Sequence, residues 1–392
     1  MTKALKPPLI FVVAGEHSGD ALGVNLMQAL KTLSNGQLNF AGVGGPKMTS
    51  EGLNSLFPME QLSVMGVFEV LPKLPLLLKR IKETANEVEK LKPDVLVTID
   101  APDFSFRVIK ILRKRGVKVP IIHYVAPSVW AWRPGRAKKV AAFLDHLLCV
   151  LPFEPPYFEK EGLNATFVGH PVVESSFGQA DGHAFRKRHN LPLKVPLMCV
   201  LPGSRNGEIE RLMPVFGDAI SKLAPQFQDL TVVLPTVDHV KARVLEFSKN
   251  WAVPVIVVNG EEKAEAFKAS NAALAASGTV ALELAMAGLV NVIGYRFQTM
   301  TGFLLKYLIK TPYANLVNVI LGREAIAEFI QDECTAENLS FELARLLDDE
   351  EARKAQLLAA QEALTELGLG GEAPGMRAAQ VVMEMISQET SP

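Results

Sequence analysis

The chain has 392 residues, too many for one typical domain and suited to about two or three. A hydrophobic fraction of 48% is ample for buried cores, and a formal charge of −1 gives no case for nucleic-acid binding. Three cysteines, Cys149, Cys199 and Cys334, lie far apart, which points to reduced thiols and a cytosolic address rather than a disulfide framework.

The first apolar run, PLIFVVA (8–14), leads into the loop GEHSGD and then an amphipathic stretch. That is the grammar of a strand, a phosphate-gripping loop and a helix. Yet the loop carries Glu16 and Asp20, with only His17 as a candidate cation. That acidity is at odds with a phosphate site, and Asp20 is a candidate cap of its helix. Pro7 and Pro8 interrupt the start, so no signal peptide is expected there.

Strand-like runs follow at LNFAGVG (38–44), DVLVTID (94–100), PIIHYVA (120–126), HLLCVL (146–151) and TFVGH (166–170). They alternate with helical stretches, which predicts a parallel sheet with helices on both faces. Residues 62–82, LSVMGVFEVLPKLPLLLKRIK, are broken by Glu69, Pro72, Lys73 and Pro75. They fall short of the ~18 apolar residues of a membrane span. Apolar then basic, they suit either a membrane surface or a core helix with a solvated basic end.

Residues 171–196 break the alternation with Gly, Pro and charge. It resumes at LMCVLP (197–202), LTVVLP (230–235), VPVIVV (253–258), AALAAS (272–277) and LVNVIGY (289–295). The expectation is α/β: two doubly wound domains, 1–172 and 173–350, facing across a cleft. A helical tail, 351–392, is expected to pack across them. Ligands of such sheets sit outside the carboxyl ends of the strands.

The second half holds the sharper nucleotide signals. In LPGSRNGEIE, Gly203 permits a tight turn, Ser204 and the helix amides offer donors, and Arg205 matches a diphosphate. In AASGTVALELAMAG, Ser277, Gly278 and Thr279 repeat the pattern, and Glu283 suits a ribose hydroxyl. Each junction alone also reads as plain helix capping. Neither carries the NTPase pattern G-x-x-x-x-G-K-[ST] or G-x-G-x-x-G.

The first half offers acids and aromatics. TIDAPDF places Asp100 at a strand's carboxyl end as a general-base candidate, while Asp103 reads foremost as a helix cap. HYVAPSVWAWRPGR brings His123, Tyr124, Trp130, Trp132, Arg133 and Arg136 together. Such a segment stacks on sugars, covers acyl chains and holds phosphate, or is a packed aromatic corner. His170 in VGHP reads as a hinge residue. The seven histidines are scattered without zinc spacing, and no G-x-S-x-G elbow occurs, so neither a metal nor a serine nucleophile is expected.

GEHSGD, GVGGPKM, IDAPDF, HYVAPSVWAWRPGR, LPFE, FVGHP, LPGSRNGEI, SGTVALELAMAG and LVNVILGRE occur in this order over residues 15–324. In this the chain resembles the lipid-A-disaccharide synthase family. The resemblance implies a two-Rossmann (GT-B type), inverting, metal-independent glycosyltransferase without a cofactor. It would move 2,3-diacylglucosamine from UDP-2,3-diacylglucosamine to 2,3-diacylglucosamine 1-phosphate, giving a β-1′,6-linked disaccharide phosphate and UDP.

Nucleotide contacts are then implied at Gly203, Ser204, Arg205, Ser277, Gly278, Thr279, Glu283, Asn318 and Arg323. Acceptor contacts are implied at Glu16, Ser18, Asp103, His123, Ser128, Trp130, Trp132 and Arg133. Asp100 is the implied base, with Glu16 the second choice, and Arg205 steadies the leaving diphosphate. The resemblance also implies a peripheral protein on the cytoplasmic side of a Gram-negative-type inner membrane, attached through residues 62–82, and a homodimer as one option. TGFLLKYLIK (301–310) reads as membrane contact or as a buried helix. The chain departs from the family pattern at His17, and at Val290 and Asn291, where Pro-Met is usual. The rivals are another two-domain UDP-sugar enzyme, such as a UDP-N-acetylglucosamine epimerase or a different glycosyltransferase, and a lipid- or nucleotide-binding regulator without turnover.

Overall fold

The computed structural model describes residues 7–62, 67–132, 134–297 and 311–390. Arg133, residues 301–310, and residues 63–66 with the side chains of 67–73 in the expected membrane segment lie outside that description. The chain forms two units, Met1–Pro171 with Gly370–Pro392, and Val172–Leu369.

The first unit holds β1 (Leu9–Ala14), β2 (Asn39–Val43), β3 (Val95–Ile99), β4 (Ile121–Tyr124), β5 (His146–Cys149) and β6 (Asn164–Phe167). All pairings are parallel, in the order β2-β1-β3-β4-β5-β6. The second unit holds β7 (Leu197–Leu201), β8 (Thr231–Pro235), β9 (Val255–Val258), β10 (Ala272–Ala275), β11 (Asn291–Tyr295) and β12 (Glu328–Ile330). Its order is β12-β11-β10-β7-β8-β9, again parallel. Strands buried on both faces need continuous apolar sequence, and β3 and β7 are buried at every position.

Strand order reverses direction between β1 and β3 in one sheet and between β7 and β10 in the other. Such switch points open a crevice at the carboxyl ends of the strands. The two sheets are therefore similar in plan, yet they differ in strand order.

The strands expected from sequence all appear, and β12 is an addition. Its three residues, EFI, are too few to show a pattern between charged neighbours. The tail divides between the units. Helix Glu350–Glu366 packs on helices Val280–Ala287 and Leu316–Leu321 of the second unit, and Pro374–Thr390 packs on His17–Leu33 of the first. The break lies at Gly368 and Gly370, both at positive φ. Gln356 bonds both backbone groups of Asn291, accepting from its N–H at 2.6 Å and donating to its carbonyl at 3.0 Å. Asn291 is thus tied to the tail. All three cysteines are free and buried.

Candidate active site

At the β7–β10 switch point the second unit has a cavity of about 420 Å³. Gly203, Ser204 and Arg205 line it from one loop, and Ser277, Gly278, Thr279 and Glu283 from the other. Gly203 has φ +107, and a Cβ there would lie 2.3 Å from Glu208 Oε2, so glycine is what lets the loop close over that carboxylate. Arg205 is the N-cap of helix Asn206–Leu223. The Ser204 and Arg205 amides donate to Glu208 Oε2 at 3.0 and 3.3 Å.

Glu208 thus occupies the two loop amides that precede the helix. The Arg205 side chain, 67% exposed, is paired with Glu208 Oε1 at 3.4 Å and stands at the positive end of the helix dipole. Ser277 is also partly engaged, its hydroxyl donating to the Ala314 carbonyl at 2.8 Å. Thr279 is the N-cap of helix Val280–Ala287, and Glu283 stands in its first turn, ion-paired with Lys263. Glu208 and Lys263 line the cavity without having stood out in the sequence. Glu208 sits in the acidic run GEIE and Lys263 in the mixed-charge run GEEKAE, and each reads as a solvated face.

Two other residues implied on the nucleotide side stand elsewhere. Asn318 is fully buried. Its Nδ2 donates to Ile326 O and Glu328 Oε1, and its Oδ1 accepts from Ala325 and Ile326 N. It fastens helix Leu316–Leu321 to the approach of β12. Arg323 is exposed and ion-paired with Glu362 of the tail. Neither lines the cavity.

In the first unit, Asp100 follows β3 at φ 52 and Ala101 at φ 44, two left-handed residues in succession. Val125, just after β4, has φ 81, which is rare for a β-branched residue. The Asp100 amide donates to Tyr124 O at 2.9 Å, and Ser105 Oγ donates to Asp100 O at 3.0 Å. These bonds hold a strained turn of the sort found at functional sites. Ser18 Oγ donates to Asp100 Oδ2 at 3.3 Å, which joins the β1 loop to the candidate base. Glu16 is the N-cap residue of helix His17–Leu33.

Asp20 lies elsewhere than expected. It caps the next helix, Pro46–Ser50, accepting from the Gly45, Lys47 and Met48 amides at 2.9 to 3.0 Å. Asp103 is exposed in the first turn of helix Pro102–Lys114 and provides no cap there.

His123 is a correction as an acceptor contact, because it is fully buried. Its Nδ1 is 2.8 Å from Thr98 Oγ1 and its ring packs on Phe106. Burial, aided by the Arg136 charge, pushes its pKa down to about 3, so it is neutral. Ser128 and Trp132 are exposed, and Trp130 is half-buried. Trp130 Nε1 donates to Glu154 Oε1 at 3.2 Å, and its ring meets Phe153 edge-on. Glu154 also accepts from the Val150 and Leu151 amides, and burial raises its carboxyl to about 7. Among the described residues no cluster of three His, Cys, Asp or Glu is placed to hold a metal.

Over residues 10–375 the chain matches the lipid-A-disaccharide synthetase family. The lipid-A-disaccharide synthase of Rhodospirillum centenum is 51% identical over 385 residues, covering 98% of this chain and 96% of that protein. The chain belongs to the lipid-A-disaccharide synthase family. The synthase of Paramagnetospirillum magneticum is 50% identical, covering 97% of this chain and 98% of its own.

The fold is shared more widely. A UDP-GlcNAc 2-epimerase from Neisseria meningitidis bound to UDP-GlcNAc has a TM-score of 0.63 at 11% identity, covering 97% of this chain and 100% of that one. MurG of Acinetobacter baumannii has 0.56 at 13%, with the same coverage. The expected two-Rossmann, GT-B-type fold therefore holds. Epimerase and MurG alike carry it, so the match along the sequence separates the readings. As a member of the synthase family the chain is a glycosyltransferase of lipid A biosynthesis.

Proposed function

We propose that this enzyme passes 2,3-diacylglucosamine from its UDP conjugate to the 6-hydroxyl of 2,3-diacylglucosamine 1-phosphate. The products are the β-1′,6-linked disaccharide phosphate and UDP, with the anomeric centre inverted. The observation that carries the nucleotide half is the cavity at the β7–β10 switch point. There two strand–loop–helix junctions, a guanidinium and a carboxylate converge.

Asp100 takes the proton from the 6-hydroxyl as its oxygen attacks the anomeric carbon. Ser18 holds Oδ2 of that carboxylate, which leaves Oδ1 to take the proton. UDP departs from the opposite face. Arg205 and the helix Asn206–Leu223 dipole meet the charge growing on its diphosphate, in the place of a cation. Glu16, Ser128 and the tryptophan segment contact the acceptor. Acyl chains oblige the enzyme to meet its substrates at a bilayer, the cytoplasmic face of the inner membrane. Leu78, 44% exposed, and exposed Lys79 and Lys82 support contact through residues 62–82. Among the described residues no helix is long and apolar enough to cross a membrane.

The test is UDP release by purified protein given both substrates. Release that depends on the diacyl acceptor, with a disaccharide phosphate seen by mass spectrometry, is expected. An epimerised UDP-sugar formed without acceptor, or binding of both ligands without product, would overturn the reading.

A further inference from the structure

Lys263 opens helix Lys263–Ala269 and lines the cavity beside Glu283. Its ammonium donates to Glu283 Oε2, with the two side chains 28% and 25% exposed. The same ammonium lies 5.8 Å from the Phe177 ring centre and 5.6 Å from that of Phe267. Those two rings stack on each other. An ion pair resting on an aromatic shelf has little freedom to wander. Glu283 Oε1 has no hydrogen-bond partner among the described residues, and the side chain faces the cavity.

We infer that Lys263 is a positioning residue for the nucleotide's ribose: it holds the Glu283 carboxylate so that Oε1 accepts from the ribose hydroxyls. The site thereby selects a ribonucleotide over a deoxyribonucleotide. This rests on the nucleotide reading above. The electrostatics require such a partner. Unpaired, Glu283 would add a negative charge to a cavity that must take a diphosphate, and it would turn away to solvent. Lys263 cancels that charge and leaves one oxygen for hydroxyl donors. Arg205, on the other loop, serves the phosphates. The two cations therefore have different tasks.

Isothermal titration with UDP and 2′-deoxy-UDP tests this on the full chain, on Lys263→Met, Lys263→Arg and Glu283→Gln, and on the double variant. Met is unbranched and apolar, so it keeps the packing on both rings while removing the charge. The unaltered protein is expected to bind UDP at least about tenfold tighter than 2′-deoxy-UDP, the discrimination a charge-assisted hydrogen bond gives. Lys263→Met should bring that ratio below about threefold and Lys263→Arg should restore it. In the Glu283→Gln background, Lys263→Met should change the ratio no further.

A Lys263→Met protein that keeps the ratio while UDP weakens would place the lysine on the phosphates and overturn the inference. A ratio near one in the unaltered protein would overturn it too. If Lys263→Met does not fold, a retained tenfold ratio in Glu283→Gln does the same. Unaltered protein that binds UDP no better than ADP would sink the nucleotide reading and the inference together, an outcome visible without any variant.

Discussion

Gly15 lies directly against Ala101: a Cβ on the glycine would fall 2.7 Å from the Ala101 Cβ. The turn after β1, which carries Glu16, is thus in contact with the turn after β3, which carries Asp100. Gly15→Ala must push one turn off the other. Overpacking of this kind costs about 1–3 kcal/mol, and a displacement near 1 Å at reacting groups costs up to ~100-fold in rate. The variant should melt lower and turn over at least about tenfold more slowly, with UDP affinity unchanged because that cavity belongs to the second unit. Steady-state rates and a UDP titration check this. Unaltered turnover would show that the two turns do not act together in the chemistry.

Asp100 combines the candidate base with left-handed backbone. Asn tolerates that conformation, so Asp100→Asn should fold normally, keep UDP affinity and lose about 10²- to 10⁴-fold in turnover. Asp100→Gly should be equally inactive, yet no less stable. Relief of roughly 1–2 kcal/mol of left-handed strain offsets the roughly 0.5–1 kcal/mol entropic cost of glycine. Melting temperatures and single-turnover rates of both variants decide it. Full turnover in Asp100→Asn would pass the role of base to Glu16.

The sheets were legible because strands covered on both faces are continuous apolar runs, as in PLIFVVA and LMCVLP. The same property hid side-chain direction. In IIHY all four residues of β4 are buried, so no alternation told that His123 points into the core. Asn318 shows another limit. A polar residue inside a family motif reads as a ligand contact, and only its four hydrogen bonds reveal a fastening. In the sequence Asp20 reads as a local cap, because its partners, the amides of Gly45, Lys47 and Met48, lie beyond a strand. Glu208 and Lys263 face the cavity from the first turns of their helices, a placement that composition does not encode.

Asn318 and Arg205 should separate stability from binding. Asn318→Ala leaves the Ala325 and Ile326 amides without their acceptor and removes one of the three donors to Glu328, at a cost of about 2–5 kcal/mol. Below its melting temperature the variant should bind UDP within about threefold of the unaltered protein, because Asn318 does not line the cavity. Arg205→Ala should do the reverse. Its exposed side chain contributes little to stability, while UDP affinity and rate both drop at least about tenfold. Urea denaturation alongside UDP titration gives all four values. A stable Asn318→Ala protein that cannot bind UDP would return Asn318 to the nucleotide.

His123 and Glu154 should give the first unit opposed responses to acid. His123 is held neutral, with its pKa taken from 6.5 to about 3 by burial and Arg136. The unfolded chain takes up a proton below 6.5 that the folded chain refuses. Its contribution is complete above 6.5 and is lost as pH falls towards 3, at up to about 1.4 kcal/mol per unit. Glu154 behaves oppositely, its carboxyl raised by burial from 4.5 to about 7. There the folded chain keeps a proton that the unfolded chain releases, so stability is lost as pH rises from 4.5 to 7. Between 4.5 and 6.5 the two slopes nearly cancel. His123→Gln should therefore expose a fall in stability with rising pH over that window, and Glu154→Gln a fall with dropping pH. Urea denaturation from pH 4 to 7.5 reads both, each as a difference from the unaltered protein, in which all other groups cancel. A His123→Gln curve parallel to that of the unaltered protein would mean that the imidazole is charged in the folded chain.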